Sequence, residues 1–419
     1  MENGIYLQQN SRNRQEKIML KINICGCALV DNLFTNISFR SEEMEPFLSV
    51  QEGDCGIAPG KLVFAEDLEK FAGMKYNFLI AAVTGGKLPD AVNLGGPAIV
   101  GAINAAQILY DRDALFSYYG AGGDDAAGET LRSFAAKTPL DMTHYQVFPG
   151  TATPVTDVLS DPEANNGKGE RSFINRIGAA QELTPDLLGD SFFDGDVLWF
   201  AATALTPGLH DKLTSLLKRG KDAGKFNIVS TVFDFRNEKK DPVGPWPLGE
   251  SADSYKYIDL LIVDCEEALR LSGKKDLEAA FQFFQASGVS AFFVTFGAKD
   301  FFAWSDGRVF EPTGKVLRLP VSALADDDLA AHPEKRGDTT GCGDNFAGGV
   351  VSSFVRQKLE GCENGKLSVI DAAAWAAASG GAACFCKGGT FFEQEKGEKA
   401  AILKRYADAY FDDPRIKEI

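Results

Sequence analysis

Residues 338–346 read Asp-Thr-Thr-Gly-Cys-Gly-Asp-Asn-Phe, and Ala-Gly-Gly-Val-Val-Ser-Ser-Phe-Val follows at once. A glycine-bracketed turn that opens into a small-residue helix leaves the N–H groups of Gly341, Cys342 and Gly343 without partners inside that helix. They point out of its positive end, where an anion is stabilised. Asp344 stands beside them as a proton acceptor. Amides that hold a moving phosphoryl group, next to a carboxylate that takes an alcohol proton, suit phosphoryl transfer to a hydroxyl. A bare Gly-x-Gly-Asp also fits ordinary capping of a helix start.

Other phosphate-handling patterns fail. Gly60-Lys61 and Gly365-Lys366 are each followed by Leu rather than Ser or Thr, so no P-loop is expected. The nearest approach to G-x-G-x-x-G is Gly120-Ala-Gly122-Gly-Asp-Asp125, whose sixth position is Asp. His-Arg-Asp and Asp-Phe-Gly, the protein-kinase strings, are missing. The net charge of −16 argues against nucleic acid or an anionic membrane as the main partner, though a local site for ATP remains compatible with it. Cys25, Cys27, Cys55, Cys265, Cys342, Cys362, Cys384 and Cys386 lack zinc-ribbon spacing and read as buried thiols in a reducing cytosol. Three scattered histidines make a His-based metal centre improbable. Residues 1–17 are polar, with no apolar core of signal-peptide length, and read as a flexible extension. The most apolar runs, such as 197–205, are far short of a membrane span, so a soluble cytoplasmic protein is expected.

The elements that must position Asp344 follow from apolar periodicity. Strands are expected over 18–25, 115–119, 155–159, 171–174, 197–200, 227–232, 258–263 and 291–296. Helices are expected over 95–110, 124–136, 208–223, 266–271, 277–286, 343–358, 367–383 and 396–411. Strands separated by helices imply an α/β fold with a parallel sheet covered on both faces. Short strands within about 31–64 and 150–175 would form a small sheet over its open edge.

The string 338–346 closely resembles the C-terminal signature of the PfkB/ribokinase family of small-molecule kinases, and further sites follow in the family's order. Ile24-Cys-Gly26-Cys-Ala-Leu-Val-Asp31 resembles the opening strand, with Asp31 accepting hydrogen bonds from two substrate hydroxyls; a solvated loop Asp fits the local sequence equally. Gly95-Gly96 resembles the turn where backbone closely approaches the substrate. Val100 stands where the family usually has Asn, which argues against ribose itself. Gly120 to Gly128 resembles a structural motif that turns a strand into a helix beside the lid. Asp264-Cys-Glu-Glu267 resembles the N-x-x-E segment: Glu267 would organise Mg²⁺ through water, and Asp264, in place of Asn, would sit near the triphosphate or cap a helix, or both. Thr295, Gly297 and Lys299 resemble a turn that touches nucleotide phosphates and ribose, although Lys299 also fits an exposed turn lysine. The resemblance places adenine near 374–379, where Ala377 stands for a frequent Asn. Arg171 would project from a lid strand to substrate or phosphate, or form a surface ion pair. Asp338 begins a loop that in relatives holds a monovalent cation, which implies K⁺ stimulation.

The resemblance implies a ribokinase-like three-layer α/β/α sandwich over 18–419, with a mainly parallel central sheet and an inserted β-sheet lid. It implies ATP- and Mg²⁺-dependent phosphorylation of a small sugar or related polyol, with Asp344 as base and Gly341, Cys342 and Gly343 as anion hole. A nucleoside kinase of the same family is the alternative. A non-catalytic nucleotide- or sugar-binding protein on the same fold is the competitor from another class. Relatives often pair through lid sheets, so a homodimer is a further expectation.

Overall fold

The computed structural model describes residues 19–51, 53–167, 169–337, 339–361 and 366–419. The expected N-terminal extension, Asp338 and Cys362 lie outside them. Eight strands form the central sheet, in the spatial order Leu317–Leu319, Phe301–Ser305, Ala291–Thr295, Leu260–Asp264, Phe226–Ser230, Val197–Ala201, Leu20–Gly26 and Ala114–Tyr119. The last six run parallel, and the first two are antiparallel additions at one edge.

Burial explains why these segments are strands. Val197–Ala201 is apolar and buried throughout, as a parallel strand covered on both faces must be. Alternate residues face opposite sides. Val197, Trp199 and Ala201 pack with Ile22, Ile24, Ile228 and Phe293 into the core under the helices Pro97–Ile108, Cys342–Glu360 and Val369–Ala383. Leu198 and Phe200 pack with Val229, Leu261 and Phe292 into a second core on the other face. The result is the expected three-layer α/β/α sandwich.

A five-stranded sheet stands apart, in the order Leu62–Phe64, Glu170–Arg176, Val155–Asp161, Leu29–Phe34 and Ala91–Gly95. Segments 31–64 and 150–175 thus supply four of its strands; the fifth, Ala91–Gly95, is not apparent in the sequence. This lid has its own core, which includes Phe34, Phe39, Met44, Phe47, Leu68, Leu79, Leu159 and Ile174. It leaves the sandwich where Leu20–Gly26 passes through Cys27 and Ala28 into Leu29–Phe34. It returns where Ala91–Gly95 passes through Gly96 into Pro97–Ile108. Gly96 has φ +92, and a Cβ there would lie 2.7 Å from the Cys27 carbonyl oxygen, so only glycine fits this crossing.

Two expectations need correction. The helix over 208–223 is two helices, Pro207–His210 and Leu213–Asp222. The motif from Gly120 to Gly128 does not turn directly from strand to helix: Ala121–Gly123 first pairs with Gln146–Phe148. Asp125 then caps the helix Ala126–Ala135 by accepting the Gly128 N–H at 2.9 Å. Among the described residues, no helix is long and apolar enough to cross a membrane.

Candidate active site

Small residues fix the helix Cys342–Glu360 in place. A Cβ on Gly348 would lie 2.5 Å from the Gly101 carbonyl oxygen, and one on Gly349 would lie 2.4 Å from that of Trp375. The helix is therefore wedged between Pro97–Ile108 and Val369–Ala383. Gly341 caps it in the left-handed conformation, with φ +77. Gly343 is exposed, with open space where a Cβ would project. The N–H groups of Gly341 and Gly343 have no partner among the described residues. The Cys342 N–H departs from expectation, because it donates to the Thr339 carbonyl oxygen. At 3.3 Å that bond is long and weak. The physical reason is the tight turn at Gly341, which folds the Cys342 amide back over the preceding residues.

The Asp344 carboxyl has neither a hydrogen bond nor an ion pair among the described residues. Asp344 is partly exposed as a residue, yet its carboxyl is set back from solvent, and desolvation pushes its pKa up to about 7. The carboxyl of Glu267 is likewise pushed up to about 7, first by burial and then by the negative charges of Asp264 and Asp344. The two acids are therefore near enough for the charge of one to act on the other. Glu267 lies in the first turn of Cys265–Ser272, just past the carboxyl end of a central strand. In open parallel sheets that edge is where ligands bind.

Asp264 and Glu267 form a capping box, so the capping role holds for Asp264. Asp264 accepts the Glu266 N–H at 2.8 Å, and Thr295 donates to it at 3.4 Å from the next strand end. Glu267 Oε2 accepts from Thr231 Oγ1 at 2.5 Å and from the Asp264 N–H at 3.2 Å. Its Oε1 has no partner among the described residues and can take a metal-bound water. No Lys or Arg offsets these carboxyls among the described residues. No group of three or more His, Cys, Asp or Glu side chains there converges as a direct metal site. That donor set fits Mg²⁺ held through its water shell, since Mg²⁺ keeps several waters and favours carboxylate.

Asp31, Gly95 and Gly96 meet at the lid hinge. Asp31 is 4% exposed. A Cβ on Gly95 would lie 2.1 Å from Asp31 Oδ2, so what approaches Gly95 closely is this carboxylate. Asp31 shares a row across the lid sheet with Thr156 and Asn175. Arg171 and Phe173 stand on the same face of that sheet, which is turned to the sandwich. Arg171 donates to Thr340 Oγ1 at 2.6 Å and to Thr339 Oγ1 at 2.7 Å. The lid thus touches the loop that leads into the Gly341 turn.

Other expected residues lie apart. Gly297 and Lys299 are exposed on the turn after Thr295, and the Lys299 ammonium lies 4.2 Å from the centre of the Phe296 ring. Residues 374–379 are not a groove: Ala374, Ala376, Ala377, Ala378 and Ser379 are buried, because the helix that carries them packs on the site helix. Val100 is also core, and a Cβ on Gly389 would lie 2.9 Å from its Cγ2. Sequence reasoning gives no role to Asn345, although it lies within the string 338–346, and misses Thr231 and Lys399, for which no local pattern stands out.

The profile of the pfkB family carbohydrate kinases matches residues 91–396, more than half of the chain. The chain belongs to this family. A cytidine kinase from Thermococcus kodakarensis is 22% identical to this PfkB chain over 277 residues, covering 65% of it and 86% of the relative. The fold matches an adenosine kinase from Schistosoma mansoni solved with 2-fluoroadenosine, at TM-score 0.63 and 15% identity, over 89% of this chain and 97% of that one. It also matches a fructokinase from Vibrio cholerae O395 solved with fructose, ADP and calcium, at TM-score 0.60 and 17% identity, over 92% and 99%. At such identities the structures establish the ribokinase-like fold.

Within this PfkB site the Cys342 thiol lies 3.5 Å from the Cys384 sulfur and does not hold the helix cap. In reducing buffer, Cys342→Ala leaves kcat within about twofold of the unchanged chain, because a backbone N–H survives the change. A large loss in steady-state kinetics would assign the thiol a role of its own.

Proposed function

We propose that this PfkB-family chain transfers the γ-phosphoryl group of ATP to a hydroxyl of a small sugar or related polyol. The observation that carries the reading is Asp344: a carboxyl without a partner among the described residues, next in sequence to the N–H groups of Gly341 and Gly343, which likewise have none there. A base whose pKa lies near neutrality is matched to accepting a hydroxyl proton. Asp344 takes that proton as the acceptor oxygen attacks the γ-phosphorus. The bond from that phosphorus to the bridging oxygen breaks, and ADP leaves. Gly341 and Gly343 donate N–H bonds to the charge on the transferring oxygens; the Cys342 N–H joins them when its long bond to Thr339 yields. Bound Mg²⁺ would neutralise phosphate charge, with Glu267 holding a water of its shell. Lys299 and Gly297 would meet the nucleotide from their exposed turn. Asp338 would contribute to a K⁺ site.

Asp31, in one row with Thr156 and Asn175, supports recognition of acceptor hydroxyls. Contact between Arg171 and Thr339–Thr340 supports a lid that closes over the reacting groups and excludes water. One observation favours a nucleoside acceptor as a second reading: Phe173 is half-buried on the lid's inner face, where a planar base could stack. A coupled ADP-release assay over sugars, polyols and nucleosides tests both. Turnover with sugars supports the first reading, and turnover confined to nucleosides replaces it with the second. Binding of an ATP analogue without turnover on any acceptor would leave a non-catalytic binding protein.

A further inference from the structure

A cation is buried beside the Gly341 turn, and the chemistry above does not use it. Lys399 lies in the first turn of the helix Glu398–Asp412 and is 5% exposed. That end of a helix repels a positive charge, and burial adds a desolvation cost. The cost shows in the ammonium itself, whose pKa burial pushes down to about 8. Glu393 does not pair with it; its Oε1 accepts the Lys399 backbone N–H instead, at 2.9 Å. The ammonium makes one hydrogen bond among the described residues, to Asn345 Oδ1 at 2.8 Å, and lies 5.7 Å from the centre of the Phe391 ring. So costly a placement calls for a role.

Asn345 follows Asp344 in the site helix and is 1% exposed. Its Nδ2 donates to the Gly341 carbonyl oxygen at 2.8 Å and to that of Gly389 at 2.9 Å. These two glycines nearly touch: a Cβ on Gly341 would lie 2.6 Å from the Gly389 Cα. The segment around Gly389 is in turn tied to the lid strand. Asn93 Nδ2 donates to the Lys387 carbonyl oxygen at 2.7 Å, and Thr390 Oγ1 donates to that of Leu94 at 3.1 Å.

An amide has two nearly isosteric orientations. With its oxygen against the ammonium, Asn345 must present its N–H groups to both carbonyls. The flipped amide would set N–H against ammonium and oxygen against two carbonyl oxygens. We propose that Lys399 is a positioning residue of the phosphoryl site: it locks the Asn345 amide, which clamps the Gly341 turn to the Gly389 segment. This rests on the kinase reading given above. Lys399 touches no reacting atom, so its effect falls on the alignment of the Gly341 and Gly343 N–H groups, not on capture of the acceptor.

Two variants test this in the full chain. Lys399→Met removes the cation and keeps most of the stem. Asn345→Asp keeps the shape and can pair with Lys399, but sets an oxygen against the two carbonyls. Each lowers kcat by about 10–100-fold, as small misplacements of reacting groups do, while the acceptor KM stays within about twofold. Lys399→Met in the Asn345→Asp background adds little, because both act through one amide. Melting curves identify the folded variants. Folded variants with kcat within about threefold of the unchanged chain, or a loss confined to KM, overturn the inference. If Lys399→Met fails to fold, Asn345→Asp decides alone by the same criterion. If the unchanged chain turns over no acceptor, the kinase reading falls and takes this inference with it.

Discussion

Asp344→Asn lowers kcat by about 10²–10⁴-fold while an ATP analogue still binds, since a positioned base contributes on that scale. The amide keeps the carboxylate's shape, and no described side chain depends on Asp344 for a bond. The sign of the pH effect follows from the raised pKa. Below about 7 the carboxyl is neutral and cannot accept a proton, so kcat/KM of the unchanged chain is full above that pH and falls as pH drops through it. Stability runs the other way. The folded state favours the protonated acid, so ionisation destabilises it as pH rises from the ordinary carboxylate range through about 7. The Asn variant therefore melts higher than the unchanged chain at about pH 8 while turning over far more slowly. Turnover within a few-fold of the unchanged chain would remove Asp344 from the role of base.

Gly95→Ala should separate acceptor recognition from nucleotide binding. The new Cβ would lie 2.1 Å from Asp31 Oδ2 and 2.4 Å from its Cγ. The strands cannot part easily to relieve this, because Ala91–Gly95 and Leu29–Phe34 are paired from Leu29–Gly95 through Leu33–Ala91. Asp31 must therefore turn away. We expect kcat/KM for the acceptor to fall by about 100-fold or more, the scale on which a misplaced contact acts, and KM for ATP to hold within about twofold. Initial rates at varied acceptor and varied ATP read the two separately. An unchanged acceptor KM in a folded variant would make Asp31 a purely structural acid.

The string 338–346 is legible in the sequence because its information is local: glycines set the turn, and small residues set the helix that follows. Buried strands such as Val197–Ala201 are legible for the same reason, as short apolar runs between helical patterns. Ala91–Gly95 is not, because five residues with a polar Asn between apolar side chains and a terminal glycine read as a turn approach until Leu29–Phe34 is seen beside them. Residues 374–379 mislead in the opposite sense. An Ala-rich helix face is equally suited to lining a groove and to packing tightly, and only the neighbouring site helix decides. Lys399 is illegible because its partner Asn345 lies 54 residues away, and nothing in Gly-Glu-Lys-Ala marks a buried ammonium.

The lid's separate core has a mechanical consequence. A flap without an interior would move by melting, but Phe34, Met44, Phe47 and Ile174 give this one a dry centre that need not open when it swings. The closure proposed above would then work against a few seams, among them Arg171 with Thr339 and Thr340, Lys239 with Asp67, and the edge-on rings of Phe64 and Phe235. Rim substitutions should thus tune how quickly products escape, and interior ones how long the lid survives heat. One protein would carry two adjustable clocks, each set by residues the other ignores.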